Sequence, residues 1–147
     1  MKLLLATRNL GKFLQIKAQL QDLPLDLISL NDVTVDDSKL TEDGSTLAEN
    51  ALKKARFYAQ STKLTTLADD SGIIVEALNN ELGVKTHRWG LGEKVSDQEW
   101  VEYFLKRLAA ETNRKAYFVC HACLMEGNGD ILVKTEGITP GIEKCVD

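Results

Sequence analysis

KLLLATRNLGKFLQIKAQL, residues 2–20, decides the architecture. The apolar run at 2–6 stops at Thr7, Arg8 and Asn9, and from there the apolar positions fall at Leu10, Leu14, Ile16 and Leu20, a helical rather than an alternating spacing. The segment therefore predicts strand, tight turn, helix. In α/β folds ligands usually sit where a strand hands over to such a turn or helix start.

Working outward, residues 23–30 carry a proline and then Leu25, Leu27, Ile28 and Leu30, which predicts a second strand. Residues 31–44 are acidic and aperiodic and predict a long loop. Ser45 and Thr46 with Glu49 form a helix start, and Leu47, Ala51, Ala55 and Tyr58 continue one apolar face to about residue 60. Two apolar runs, 65–68 and 73–78, flank Asp69-Asp70-Ser71-Gly72, either a turn whose Asp side chains bond their own backbone or a strand whose bend at Ser71-Gly72 would bring one carboxylate to a metal and the other to a water. Residues 82–94 are irregular, and Ser96 with Glu99 opens a third helix through Trp100, Tyr103, Phe104 and Leu108. Strands at 115–125 and 131–135 flank Glu126-Gly127-Asn128-Gly129-Asp130, a hairpin turn, and the last stretch, 136–147, contains Gly137, Pro140 and Gly141. The expected fold is α/β, with a mixed central sheet flanked by helices and a C-terminal β-hairpin, as one domain over residues 1–147.

Composition narrows the function. With 44% hydrophobic and 27% charged residues the chain is globular rather than disordered. A formal charge of -4 excludes a general nucleic-acid binder, so a polyanionic ligand needs local lysines, helix-start amides or a divalent metal. No signal-peptide core or membrane-length apolar run is present, and Cys120, Cys123 and Cys145 fit a reducing compartment, so a cytoplasmic protein without membrane contact is expected. Cys120 and Cys123 are spaced C-x-x-C, but in a strand they point to opposite faces and cannot share a metal ion.

Three constellations carry chemistry. Thr7, Arg8, Asn9, Leu10, Gly11 and Lys12 run from a strand end into a helix start, where unpaired amides attract phosphate oxygens and Lys12 adds a full charge. Asp69 and Asp70 are adjacent carboxylates inside apolar sequence, costly to desolvate unless a cation or hydrogen-bond donors meet them. Glu42, with Glu49, Asn50 and Lys54 on the following helix, forms the third; Glu49 and Asn50 read as ordinary first-turn residues.

The blocks ATRNLGK at 6–12, EDGSTLAENALKKA at 42–55 and ADDSGIIV at 68–75 resemble, in order and spacing, the inosine triphosphate pyrophosphatase family, also called the Ham1 family. Residues 114–124 and EGITPGI at 136–142 look like that family's hairpin and glycine-bearing strand, so the resemblance covers nearly the whole chain. It implies Mg2+-dependent hydrolysis of inosine and xanthosine triphosphates to monophosphate and pyrophosphate, removing deaminated purines from the nucleotide pool. By motif, residues 7–12 hold the triphosphate, Glu42 and Asp70 the magnesium, and Ser71 the substrate. Asp70 is also the general base, with Asp69 supporting the metal from behind.

Gln15 stands where the family commonly has Glu, and the family normally continues beyond residues 141–142 with loops that embrace the purine. The resemblance thus leads us to expect a member without the usual base-recognition part, either an enzyme with relaxed base selectivity or a nucleotide-binding protein with little catalysis. A homodimer is the expected assembly. Thr86 and Arg88 resemble a Ser-x-Arg segment of the family, and Trp89 or Trp100 is a candidate stacking platform for the base.

Overall fold

The computed structural model describes residues 1–79, 81–91 and 94–142, with side chains given for all of these except residues 87, 88 and 142. Arg88's side chain and Cys145 lie outside the described residues. The chain runs β1 (Lys2–Leu5), α1 (Leu10–Gln19), β2 (Asp26–Ser29), α2 (Leu47–Thr62), β3 (Thr65–Val75), α3 (Asp97–Leu108), β4 (Lys115–Met125) and β5 (Ile131–Ile142). Short 3-10 turns occupy Leu30–Asp32, Asp37–Lys39, Glu76–Leu78 and Gly83–Arg88.

The strands form one sheet in the order β2-β1-β3-β4-β5. β1 pairs in parallel with β2, Leu3 opposite Leu27, and with β3, Leu4 opposite Thr66. β4 and β5 are neighbours joined by a turn closed by Glu126 N–H to Asp130 O at 2.8 Å, which makes them antiparallel. The sheet is therefore mixed, with helices and a closing hairpin, as the sequence leads one to expect.

Asp69-Asp70-Ser71-Gly72 makes no turn between the two apolar runs: β3 continues from Thr65 to Val75. β5 continues past the periodic run at 131–135 to Ile142, through Gly137, Pro140 and Gly141, as the likeness of 136–142 to a glycine-bearing strand implies. An edge strand tolerates proline because its outward amide has no ladder partner to lose.

The chain divides into two compact units. In the first, Met1–Asp70 with His121–Glu136, the core gathers Leu4, Leu30, Tyr58, Ala68, Cys123 and Met125 around α2. Ala51, Ala55 and Ala59 recur every four residues along α2 at 1%, 0% and 0% exposure, small side chains that let the helix backbone lie close to its neighbours. Thr46 caps α2 by accepting from Glu49 N–H, and Glu49 returns to Ser45 N–H at 2.7 Å.

In the second unit, Ser71–Cys120 with Gly137–Asp147, Val75, Leu78, Leu82, Phe104 and Leu108 pack with Trp89. Ser96 and Glu99 form the capping box of α3. Gly72 is needed where it stands: a Cβ there would lie 2.2 Å from Gly83 O and 2.8 Å from Thr86 Oγ1. Thr86 Oγ1 in turn accepts Ile73 N–H at 3.1 Å, fastening the 3-10 turn to β3.

Candidate active site

The turn after β1 is built from its own side chains. Asn9 N–H donates to Thr7 Oγ1 at 3.2 Å, and Asn9 Oδ1 accepts Lys12 N–H at 3.0 Å as the N-cap of α1. The amides of Leu10 and Gly11 stand in the first turn, where no intrahelical carbonyl is available to them. Leu10 is 67% exposed, so this helix start opens to solvent. It has the polarity of an anion site.

Lys12 reaches from α1 to β3, its Nζ 2.6 Å from Asp69 Oδ2. Asp69 is 9% exposed, and a carboxylate so placed requires such a partner. Asp70, next along the strand, points its carboxylate the other way and accepts Asn50 Nδ2–H from α2 at 3.0 Å. The two adjacent acids thus meet different helices, Asp69 the lysine of α1 and Asp70 the asparagine of α2.

α2 also holds the preceding loop. Asn50 Oδ1 accepts Gly44 N–H at 2.7 Å, and Lys54 Nζ lies 3.0 Å from Glu42 Oε2 and 3.1 Å from Asp69 O. Asn50 and Lys54 are four residues apart, hence on one helix face. Through them the loop bearing Glu42 and the strand bearing Asp69 and Asp70 are both fastened to α2. Gly44 admits no side chain, since a Cβ would approach Asn50 Oδ1 to 2.6 Å.

Arg8 turns to the same loop, with Nε 2.7 Å and Nη2 2.6 Å from Asp37 Oδ2. The Asp37 hydrogen bond and charge push the Arg8 guanidinium above its ordinary value, so it stays cationic. Nearby Tyr58 is pushed up to about 12, first by burial and then by the Asp37 charge, and its hydroxyl keeps its proton.

The residues singled out from sequence are therefore distributed as follows. Thr7 and Asn9 shape the turn, Lys12 joins Asp69, and Glu42 and Asp70 are each fastened to α2. Ser71 follows on β3 as the first residue of the second unit. Asn50 and Lys54, grouped with Glu42 in the sequence, gain their roles here: Asn50, which reads in sequence as an ordinary first-turn residue, is 2% exposed on the inward side of α2.

Trp89 and Trp100 are not a stacking platform. Trp89 is 6% exposed, donates Nε1–H to Glu81 at 3.2 Å and meets Tyr103 edge-on at 5.1 Å, while Trp100 Nε1–H is taken by Thr86 O at 2.9 Å. Both build the second core. Among the described residues no group of three His, Cys, Asp or Glu side chains is arranged to hold a metal ion, and no helix is long and apolar enough to cross a membrane.

Comparison with known proteins gives consistent matches. The family model described as the Ham1 family matches residues 3–142. A dITP/XTP pyrophosphatase of Geobacter sulfurreducens is 42% identical over 130 residues, covering 87% of this chain and 64% of that protein. A dITP/XTP pyrophosphatase of Coxiella burnetii is 37% identical over 132 residues, covering 88% and 64%. The chain thus spans just under two thirds of the length of these relatives. Among solved structures, a HAM1 protein from Coxiella burnetii superposes with a TM-score of 0.85 at 35% identity, covering 97% of this chain and 72% of that one. The Staphylococcus aureus Ham1 protein does so with a TM-score of 0.80 at 31% identity, covering 97% and 71%.

Proposed function

Because the chain belongs to the Ham1 family, we propose that it hydrolyses purine nucleoside triphosphates of the inosine and xanthosine class to monophosphate and pyrophosphate. The relatives' names, dITP/XTP pyrophosphatase, support that substrate class. The observation that carries the reading is the double fastening by α2, with Asn50 on Asp70 and Lys54 on Glu42, beside a helix start that offers Lys12.

In this reading the amides of Leu10 and Gly11, with Thr7, Arg8, Asn9 and Lys12, hold the phosphate chain, and Ser71 contacts the substrate. Glu42 and Asp70 hold Mg2+, a hard cation usually bound by one or two carboxylates together with substrate phosphates. When bound it neutralises charge developing on the phosphates. Asp70 takes the proton of the attacking water, whose oxygen bonds to phosphorus as the bond between the α- and β-phosphates breaks and pyrophosphate departs. Asn50 fixes one carboxylate oxygen and so orients the base. Residues 1–147 act as one pyrophosphatase-like domain.

A cytoplasmic setting suits the unbridged thiol of Cys123. A homodimer is supported by Ile131, Leu132 and Val133, 42%, 46% and 49% exposed on edge strand β5.

The test is pyrophosphate release from inosine, xanthosine, guanosine and adenosine triphosphates with Mg2+. Release from the first two is expected. Binding of inosine triphosphate without release from any of the four would instead identify a nucleotide-binding protein.

A further inference from the structure

We propose that Asp37 is a positioning residue for the triphosphate, holding the Arg8 guanidinium by one edge so that its remaining donors face the phosphate chain. The inference rests on the pyrophosphatase reading above. Arg8 stands between Thr7 and Asn9, the residues that shape the phosphate turn, and its side chain is 49% exposed. A free arginine there would sample many rotamers. Asp37 removes that freedom, since Nε at 2.7 Å and Nη2 at 2.6 Å converge on one oxygen and fix the guanidinium plane, leaving the Nη1 side outside the pair.

Asp37 is itself held in place. It opens the 3-10 turn Asp37–Lys39, whose cap is Asp36 Oδ1 accepting Ser38 N–H at 3.0 Å. The same loop carries Glu42, so the Arg8 pair ties the phosphate turn to an acidic segment of the site.

A purely stabilising role does not fit the magnitudes. Besides Arg8, Asp37 faces the Tyr58 hydroxyl, which its charge and hydrogen bond hold protonated, and a half-exposed ion pair by itself contributes little to stability. A carboxylate kept on such terms is better explained by the geometry it imposes on Arg8.

The experiment uses the full chain with Asp37→Asn, Arg8→Ala and the double variant, measuring Kd for inorganic tripolyphosphate by calorimetry, KM and kcat for inosine triphosphate, and Tm. Asp37→Asn should raise Kd and KM about fivefold, within the range of coupling between contacting residues. kcat should move less than about twofold and Tm should shift little, because the binding term alone is disturbed. In the Arg8→Ala background the same substitution should change neither Kd nor KM. Arg8→Lys, which cannot present two donors in one plane, should match Asp37→Asn and serves if that variant fails to fold. Unchanged Kd in Asp37→Asn, additive effects in the double variant, or a fall in kcat and Tm at constant KM would each overturn the proposal. Should the wild type bind tripolyphosphate yet release no pyrophosphate, the functional reading fails, and the Kd cycle still decides the role of Asp37.

Discussion

Asn50 stands between Gly44 and Asp70, taking the Gly44 amide on Oδ1 at 2.7 Å and giving Nδ2–H to Asp70 Oδ2 at 3.0 Å. Replacing it by Ala leaves a loop amide and a strand carboxylate each without this partner at a position 2% exposed. Loss of one buried partner usually costs about 1–3 kcal/mol. Asn50→Ala is therefore expected to lower the urea midpoint and to reduce kcat more than it raises KM. An unchanged urea midpoint would contradict this account of the clamp.

Asp70→Asn should leave the fold intact, since its carbonyl oxygen can still accept from Asn50. Turnover should fall by roughly 10²–10⁴, the usual contribution of a general base. Retention of more than about one-tenth of wild-type kcat, with an unchanged thermal midpoint, would remove Asp70 from that role.

Lys12→Met tests two links at once, because Lys12 meets Asp69 at 2.6 Å and stands in the helix start that faces phosphate. Affinity for a slowly hydrolysed triphosphate analogue should weaken at least about tenfold, the equivalent of one charged hydrogen bond. Thermal stability should fall as well. Titration showing unchanged affinity would mean that residues 7–12 do not cradle the phosphates.

Gly72→Ala should be among the most damaging small changes outside the acidic residues. Its Cβ would lie 2.2 Å from Gly83 O and 2.9 Å from Gly83 C, backbone that cannot rotate away. Overpacking of this kind costs about 1–3 kcal/mol or more. A thermal midpoint within a degree or so of wild type would show that the turn at Gly83–Arg88 yields easily.

Acid should loosen the second unit through Glu81. The Arg107 hydrogen bond, and after it that of Trp89, holds the Glu81 carboxyl below the usual carboxylate range. A group depressed in the folded state stabilises fully above its unfolded value and stops doing so as pH falls through the folded one. Trp89 fluorescence, followed from neutral pH down past the carboxylate range, should change in wild type. Glu81→Gln should abolish that part of the change, and identical curves for the two proteins would exclude Glu81 as its source.

What could be read beforehand was what local chemistry fixes. The helix starts at Thr46 and Ser96 are written in the spacing to Glu49 and Glu99, and the β1–α1 turn in Thr7 and Asn9. Asp69-Asp70-Ser71-Gly72 has turn composition, so its place inside β3 is not legible locally: partners distant in sequence, Lys12 on α1 and Asn50 on α2, meet the acids there. Periodicity marks β5 only to residue 135, and the motif at 136–142 marks the rest, because Pro140 is excluded from a central strand but not from an edge. The acids Glu42 and Asp70 were marked by motif. Their fastening was not, because it depends on which face of α2 turns inward.

That face imposes a rule on insertions and deletions. One residue added or removed in α2 ahead of Asn50 rotates everything after it by about 100°. Asn50 and Lys54 would leave the Gly44 amide, Asp70, Glu42 and the Asp69 carbonyl together, and the alanine row would swing out with them. Length variation in descendants of this gene should therefore collect in surface segments such as 20–25 and 109–114, while α2 keeps its residue count even where its outward side chains drift.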